Sequence, residues 1–254
     1  MSAENDIRRL LQEWPYDQDN SVRVLSFPDG RQVLQVRLPL GIEQYEMDGR
    51  PDGLRPHHME TALEYHVSRL ARLKAIGKQG SFRLTRRDCV ELFEEGMLYY
   101  YRYLHLFQLQ EWERTVRDTA RNIALFDFVR RYAAREKDRI HLEQWRPYVV
   151  RINTVAQAMI ELRRGRYLAA ADIVREAIGG LEALPALQDS TFKFELDRSL
   201  QVLRRMADQI DRNRPLGEVE RLEKELQNAV ETEEFERAAD LRDRIRSLRD
   251  APAP

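Results

Sequence analysis

Four groups of residues in this 254-residue chain invite a chemical reading. His57-His58-Met59-Glu60 places two imidazoles beside a carboxylate, the donor types that hold zinc. A helical metal site needs histidines at i and i+4 to put both ligands on one face, and that spacing is absent. Cys89, the single cysteine, lies beside Val90 and Leu92 in an amphipathic stretch, where a thiol is expected to be buried and inert rather than nucleophilic. Gly77-Lys78-Gln79-Gly80 lacks the spacing of a phosphate-binding loop. Tyr99-Tyr100-Tyr101-Arg102-Tyr103, with Phe107, forms an aromatic band at helical spacing. The band reads as packed core or as a ligand platform, and in the second case Tyr99, Tyr100 and Tyr103 are the groove residues. No residue qualifies as catalytic and no metal or cofactor is expected, so the chain is read as a protein that is not an enzyme.

Charge sets a further limit. The 42 Lys and Arg stand against 43 Asp and Glu, for a net charge of −1, so attraction to nucleic acid would have to come from a local patch. The pairs Arg86-Arg87, Arg130-Arg131, Arg163-Arg164 and Arg204-Arg205 are interspersed with acids, as on solvated helix faces. Binding to nucleic acid is therefore open but not favoured. The first residues carry Glu4, Asp6, Arg8 and Arg9 where a signal peptide needs an apolar run, and no stretch approaches membrane-spanning length. A cytoplasmic protein without membrane contact is expected.

Stepping along the chain, Ile7, Leu10, Leu11 and Trp14 predict a short amphipathic helix stopped by Pro15. Val22–Phe27 and Gln32–Leu38 flank Pro28-Asp29-Gly30-Arg31 and predict a β-hairpin, since proline presets φ and glycine accepts positive φ. A third strand over Ile42–Met47 completes a small antiparallel meander, expected to end near Gly53 and to pack on the rest of the chain, because an isolated meander is marginal in water. After Pro56 the patterns are helical. A helix over about His58–Ile76 presents Leu63, Val67, Leu70 and Leu73, and another opens at Thr85 as N-cap.

Three later segments share one pattern: Glu111-Trp112 with Thr115 and Val116, Arg166-Tyr167 with Ala170 and Ala171, and Glu234-Phe235 with Ala238 and Ala239. In each, an aromatic at a helix start precedes small or β-branched residues three and four positions on, where it can fold over a close helix–helix contact. Paired helices follow. The segment Leu162-Arg163-Arg164-Gly165-Arg166-Tyr167, with Ala170 and Ala177-Ile178, resembles the second helix of tetratricopeptide repeats. Trp112 and Tyr167 are 167 − 112 = 55 positions apart, not the ~34 of that repeat. The resemblance therefore implies tetratricopeptide-like hairpins with an intervening helix rather than a regular array.

At the C-terminus, Val219, Leu222, Leu226, Ala229 and Val230 form one apolar stripe, and Phe235, Ala238, Ala239, Ile245 and Leu248 another. Two short helices joined at Glu231-Thr232-Glu233 should fold into an antiparallel hairpin, with Thr232 capping the second. Phe235 is expected to anchor it, its ring set between the helices against Leu226 and Val230. The second helix runs from acidic (Glu233, Glu234, Glu236) to basic (Arg242, Arg244, Arg246, Arg249), as the helix dipole favours. The run Leu222-Glu223-Lys224-Glu225-Leu226, then Phe235-Glu236-Arg237-Ala238-Ala239-Asp240-Leu241-Arg242-Asp243, resembles the UVR motif, shared by the B and C subunits of the bacterial excinuclease, Clp-type ATPases and a protein-arginine-kinase activator. The resemblance implies protein–protein contact through Leu222, Leu226, Val230, Phe235, Ala238, Ala239, Arg242, Asp243 and Ile245, as recruitment of a partner or self-association. Packing within the chain is the other reading of the hairpin.

The expected architecture is mainly α: an N-terminal helix and sheet (1–55), a helical-repeat-like body (56–212), a UVR-like hairpin (213–250) and a tail (251–254). The expected function is that of an adaptor or scaffold. The alternatives are a DNA-repair accessory protein beside an excinuclease subunit, and a regulator in Clp-type protein quality control, although the cysteine-rich zinc modules of the kinase activator are absent.

Overall fold

The computed structural model describes residues 6–250, with side chains through Leu248. The expected tail 251–254, residues 1–5 and the side chain of Arg249 lie outside the described residues. The chain divides into two compact units, one up to Asp208 and one from Gln209.

In the first unit a short helix α1 (Arg8–Glu13) precedes a three-stranded antiparallel sheet, β1 (Val22–Ser26), β2 (Gln32–Leu38) and β3 (Gly41–Glu46), in the order β1-β2-β3. The β1–β2 turn closes as Phe27 and Arg31 pair through the backbone (2.8 Å), with Gly30 at φ +85°. Register places Val24, Leu34 and Tyr45 side by side, and Arg23, Gln35 and Gln44 in the neighbouring row on the other face. The apolar face packs on Leu106 and Leu109; the polar face is laced by Arg23 to Gln35 (3.0 Å) and Gln35 to Gln44 (2.9 Å). The sheet thus packs on the helical body, as its small size requires. The amphipathic reading of α1 needs correction: the helix has no buried residue, Ile7 and Leu10 are exposed, and its tie to the sheet is polar, Arg37 Nε donating to the Trp14 carbonyl (2.7 Å).

The body consists of α2 (Ala62–Ala75), α3 (Arg86–Gln108), α4 (Trp112–Tyr132), α5 (Glu136–His141), α6 (Arg146–Arg163), α7 (Tyr167–Glu182) and α8 (Ser190–Asn213), which runs on into the second unit. Thr85 caps α3 in a reciprocal box with Asp88, as expected. The helix expected from His58 begins instead at Ala62, capped by Thr61 Oγ1 accepting from Glu64 N (3.1 Å); His57 and His58 both sit at positive φ (53° and 62°), outside helix space. Of the expected stripe, Leu70 is buried and Leu63 and Leu73 pack against the core, whereas Val67 is exposed and His66, one position before it, is buried instead.

The α3–α4 and α6–α7 corners have one construction. Gln110 (φ +58°) and Gly165 (φ +72°) occupy the left-handed position, and the next residue donates back across six residues: Glu111 to Leu106 (2.9 Å) and Arg166 to Glu161 (2.9 Å). These are Schellman closures, which satisfy the last helical carbonyls and reverse the chain. The aromatics Trp112 and Tyr167 then open the following helices. Thr115, Ala170 and Ala171 are buried at the contacts, as their size predicts.

Buried charge fixes the sheet to the helices. Arg102, wholly buried, grips Asp118 with two bonds (2.6 and 2.8 Å) and donates to the carbonyls of Glu46 (2.6 Å), the last residue of β3, and Gly49 (2.9 Å) in the turn after it. Glu95, also wholly buried, accepts from the free N–H groups of Ala62 (2.7 Å) and Leu63 (3.1 Å) at the start of α2 and pairs with Arg121. Each charge is matched by a partner and by hydrogen bonds, the condition under which burial is tolerated.

Candidate protein-binding hairpin

The second unit contains α9 (Glu218–Glu231) and α10 (Phe235–Asp250), packed together. Gly217 N–H donates to Glu220 (2.9 Å), which Arg214 also grips with two bonds (2.9 and 2.7 Å); together they hold the Glu220 carboxyl below its ordinary range. The α9–α10 corner repeats the Schellman closure of the body: Glu233 lies at φ +59°, and Glu234 donates to Ala229 (2.8 Å). Thr232 does not cap α10. Its hydroxyl donates to the Asn228 carbonyl (2.9 Å) and so closes α9, because the left-handed residue that reverses the chain comes one position later.

The interior of the hairpin consists of Leu222, Ala229, Ala238, Leu241 and Ile245, flanked by Val219, Leu226 and Leu248. Leu241, missed in the sequence, follows Ala238 by three positions and precedes Ile245 by four, so helical spacing alone could have found it. Phe235, expected as the internal anchor, is 68% exposed, and Val230 is 52% exposed. The anchor reading is therefore corrected. In the body, Trp112 begins α4 at the matching place and is buried because Phe107 lies against it (ring centroids 5.2 Å) and Arg163 of α6 covers its ring (5.3 Å). Among the described residues no aromatic ring or guanidinium lies over Phe235 as Phe107 and Arg163 lie over Trp112.

Of the expected contact residues, Leu222, Ala238 and Ile245 are therefore internal, Leu226 and Ala239 are half-buried, and Val230, Phe235, Arg242 and Asp243 face outward. Arg242 pairs with Asp243 (3.0 Å), Arg237 with Glu234 (3.0 Å) and Arg244 with Glu218 across the hairpin (3.3 Å). Exposed pairs of this kind contribute little to stability.

The remaining expected sites fall in the first unit. Tyr100 and Tyr103 line a cavity between helices; Tyr99 turns away from it, its hydroxyl donating to the Gly49 carbonyl (3.2 Å) and its ring stacked under Arg121 (4.0 Å). Cys89 is wholly buried, and burial pushes its thiol up to about 11. His57 Nε2 lies 2.9 Å from Glu91, and its ring stacks on Tyr65 (3.8 Å). Among the described residues no group of His, Cys, Asp and Glu is arranged to hold a metal ion, and no helix is long and apolar enough to cross a membrane. Arg130, Arg164 and Arg204 pair with Asp127 (3.2 Å), Glu161 (3.3 Å) and Glu182 (2.6 Å).

Comparison with family models matches residues 217–251 to the UvrB/uvrC motif. Neither curated proteins nor solved structures matched the chain. The match coincides with the α9–α10 hairpin, so the C-terminal module of this chain carries a UvrB/uvrC motif; the body is helical, and its tetratricopeptide-like reading is not confirmed by a family match.

Proposed function

We propose that the protein is a non-enzymatic adaptor or scaffold that recruits a protein partner, or a second copy of itself, through the α9–α10 hairpin. The observation that carries this reading is the apolar corner formed by Val230 and Phe235, both exposed, in a hairpin whose small core is Leu222, Ala229, Ala238, Leu241 and Ile245. An exposed aromatic close in the chain to a second exposed apolar residue, with the Arg237–Glu234 pair next to it, has the composition of a recognition surface, in which one aromatic contributes much of the affinity. The motif match to the same residues supports it.

Nucleic acid is a weaker candidate for this surface. Arg237, Arg242 and Arg244 are each already paired with a carboxylate, so counterion release on binding phosphate would be offset by breaking those pairs. The test is quantitative affinity purification with the native chain, with Phe235→Ala and with residues 216–250 deleted. Partners recovered equally by all three would remove the recruiting role, whereas retention on DNA that falls steeply with salt would support the DNA-repair alternative. An excinuclease subunit and a Clp-type ATPase are distinguished by which of them co-elutes.

A further inference from the structure

In the first unit, α3, α4, α6 and α8, together with the turn after α5, enclose a cavity of ≈ 450 Å³, within the range of small-molecule sites. Its walls are mainly aromatic. Tyr100 stands edge-on to Tyr103 (5.6 Å, 89°) and 6.0 Å from Tyr148, and Phe93 lies against His141 (4.5 Å). Met97 and Trp145 line the cavity and are both exposed (46% and 44%), which places them at its mouth. Gly96, in mid-helix and also lining it, leaves space where any other residue would project a side chain.

Two charged groups of α8 face this aromatic space. Glu195 is buried (6% exposed); its Oε2 lies 3.3 Å from Arg151 Nη2, yet accepts no hydrogen bond among the described residues. Arg151 neutralises this carboxylate without a well-directed hydrogen bond to Oε2, which leaves that oxygen able to take a further donor. Arg198, one turn on, is exposed and has no carboxylate within ion-pair distance among the described residues. Two guanidinium groups thus stand against one carboxylate, and Arg198 disfavours the charge on Arg151, adding to its burial.

We infer that this cavity binds a small aromatic carboxylic acid bearing a ring hydroxyl or N–H. The ring lies among the tyrosines, the ring donor meets Glu195 Oε2, and the acid group at the mouth meets Arg198. An amine in the same place would be repelled by both arginines, and a neutral phenol would leave Arg198 unused. This inference is independent of the hairpin.

The test titrates the full chain by saturation-transfer NMR, into the millimolar range, with 4-hydroxyphenylacetate, 4-methylphenol and tyramine. Binding is expected to be saturable and to rank acid, then phenol, then amine. Arg198→Glu should weaken the acid about tenfold, because it replaces an attracting charge at the mouth with a repelling one, and leave the phenol unchanged. Met97→Trp should block all three probes. Both substitutions fall on exposed side chains, so native circular dichroism and cooperative unfolding are expected of each variant and are checked first. Absence of saturable binding to the native chain, preference for tyramine, or an acid affinity indifferent to either variant would each overturn the inference.

Discussion

Phe235→Ala distinguishes a packing role from a recognition role, and the structure sets the scale of each. A phenylalanine contributes roughly 200 Å² of surface, so with 68% of it exposed about 65 Å² is covered within the chain. At ~25 cal/mol per Å² that covered area is worth at most about 1.6 kcal/mol of stability, well short of the 3–5 kcal/mol of a fully buried ring. The remaining area, roughly 135 Å², would be worth about 3 kcal/mol if a partner covered it, or more than a hundredfold in affinity. Chemical denaturation followed by circular dichroism measures the first quantity; light scattering, or calorimetry against the recovered partner, measures the second. The expected outcome is a small loss of stability with a large loss of association. Ala238→Leu is the control: Ala238 is buried, so overpacking there should cost about 1–3 kcal/mol and open the hairpin from inside. A loss of more than 3 kcal/mol on Phe235→Ala would show the ring to be internal, and unchanged association would remove it from the interface.

Arg102→Met should cost about 3–5 kcal/mol, because it leaves the Asp118 carboxylate buried without its partner and strips donors from the carbonyls of Glu46 and Gly49; hydrogen exchange should show the sheet loosening first. At the corners, Gly165→Ala should cost about 1–2 kcal/mol through its positive φ alone, since a Cβ there meets nothing within 4 Å, while Gln110→Gly should gain about 0.5–1 kcal/mol. Burial, reinforced by the charge of Arg69, holds His66 below its ordinary value of 6.5 against the pull of Asp88 and Glu91. The unfolded chain therefore takes up this proton first: the stability tied to a neutral His66 is intact above about pH 6.5 and is lost as pH falls below it, a slope that His66→Asn should flatten in denaturation curves. Cys89 should resist alkylation in the native state and react only as the fold opens, because burial keeps it from forming a thiolate.

What could be read from the sequence was what is decided locally. Pro28-Asp29-Gly30-Arg31 determines its turn whatever surrounds it, and Thr85 with Asp88 caps α3 using residues within one turn. The three aromatic-small segments likewise correspond to three helix starts, two in the body and one in the hairpin, each after the same left-handed residue. The start of α2 at Ala62 is marked by a capping signal of the same kind, Thr61 with Glu64, and the buried His66 beside the apolar stripe is not marked by its residue type. The Arg102–Asp118 pair joins α3 to α4 and to the backbone at the end of the sheet, and Glu95 joins α3 to the start of α2. They depend on helix register and on the approach of distant backbone, which side-chain type along one strand of sequence does not encode.

The site divides along the same line, and Phe235 shows why. The stripe Leu222, Leu226, Ala229 and Ala238, Ile245, Leu248 was legible because a two-helix contact is fixed by helical periodicity within each helix. Whether the aromatic ahead of it is covered depends on a third surface, and the aromatic-small pattern carries no count of neighbours. Trp112 and Phe235 have the same local sequence logic and the same corner; α6 reaches Trp112 through Arg163, whereas Phe235 stays 68% exposed. A side chain built like the covered member of a helical corner, in a unit too small to cover it, is a place where a partner's surface can do what α6 does in the body. In the proposed complex, then, the element packed over Phe235 should offer an apolar face, and cross-linking from an engineered cysteine at Val230 should map to that face rather than to a basic or acidic one.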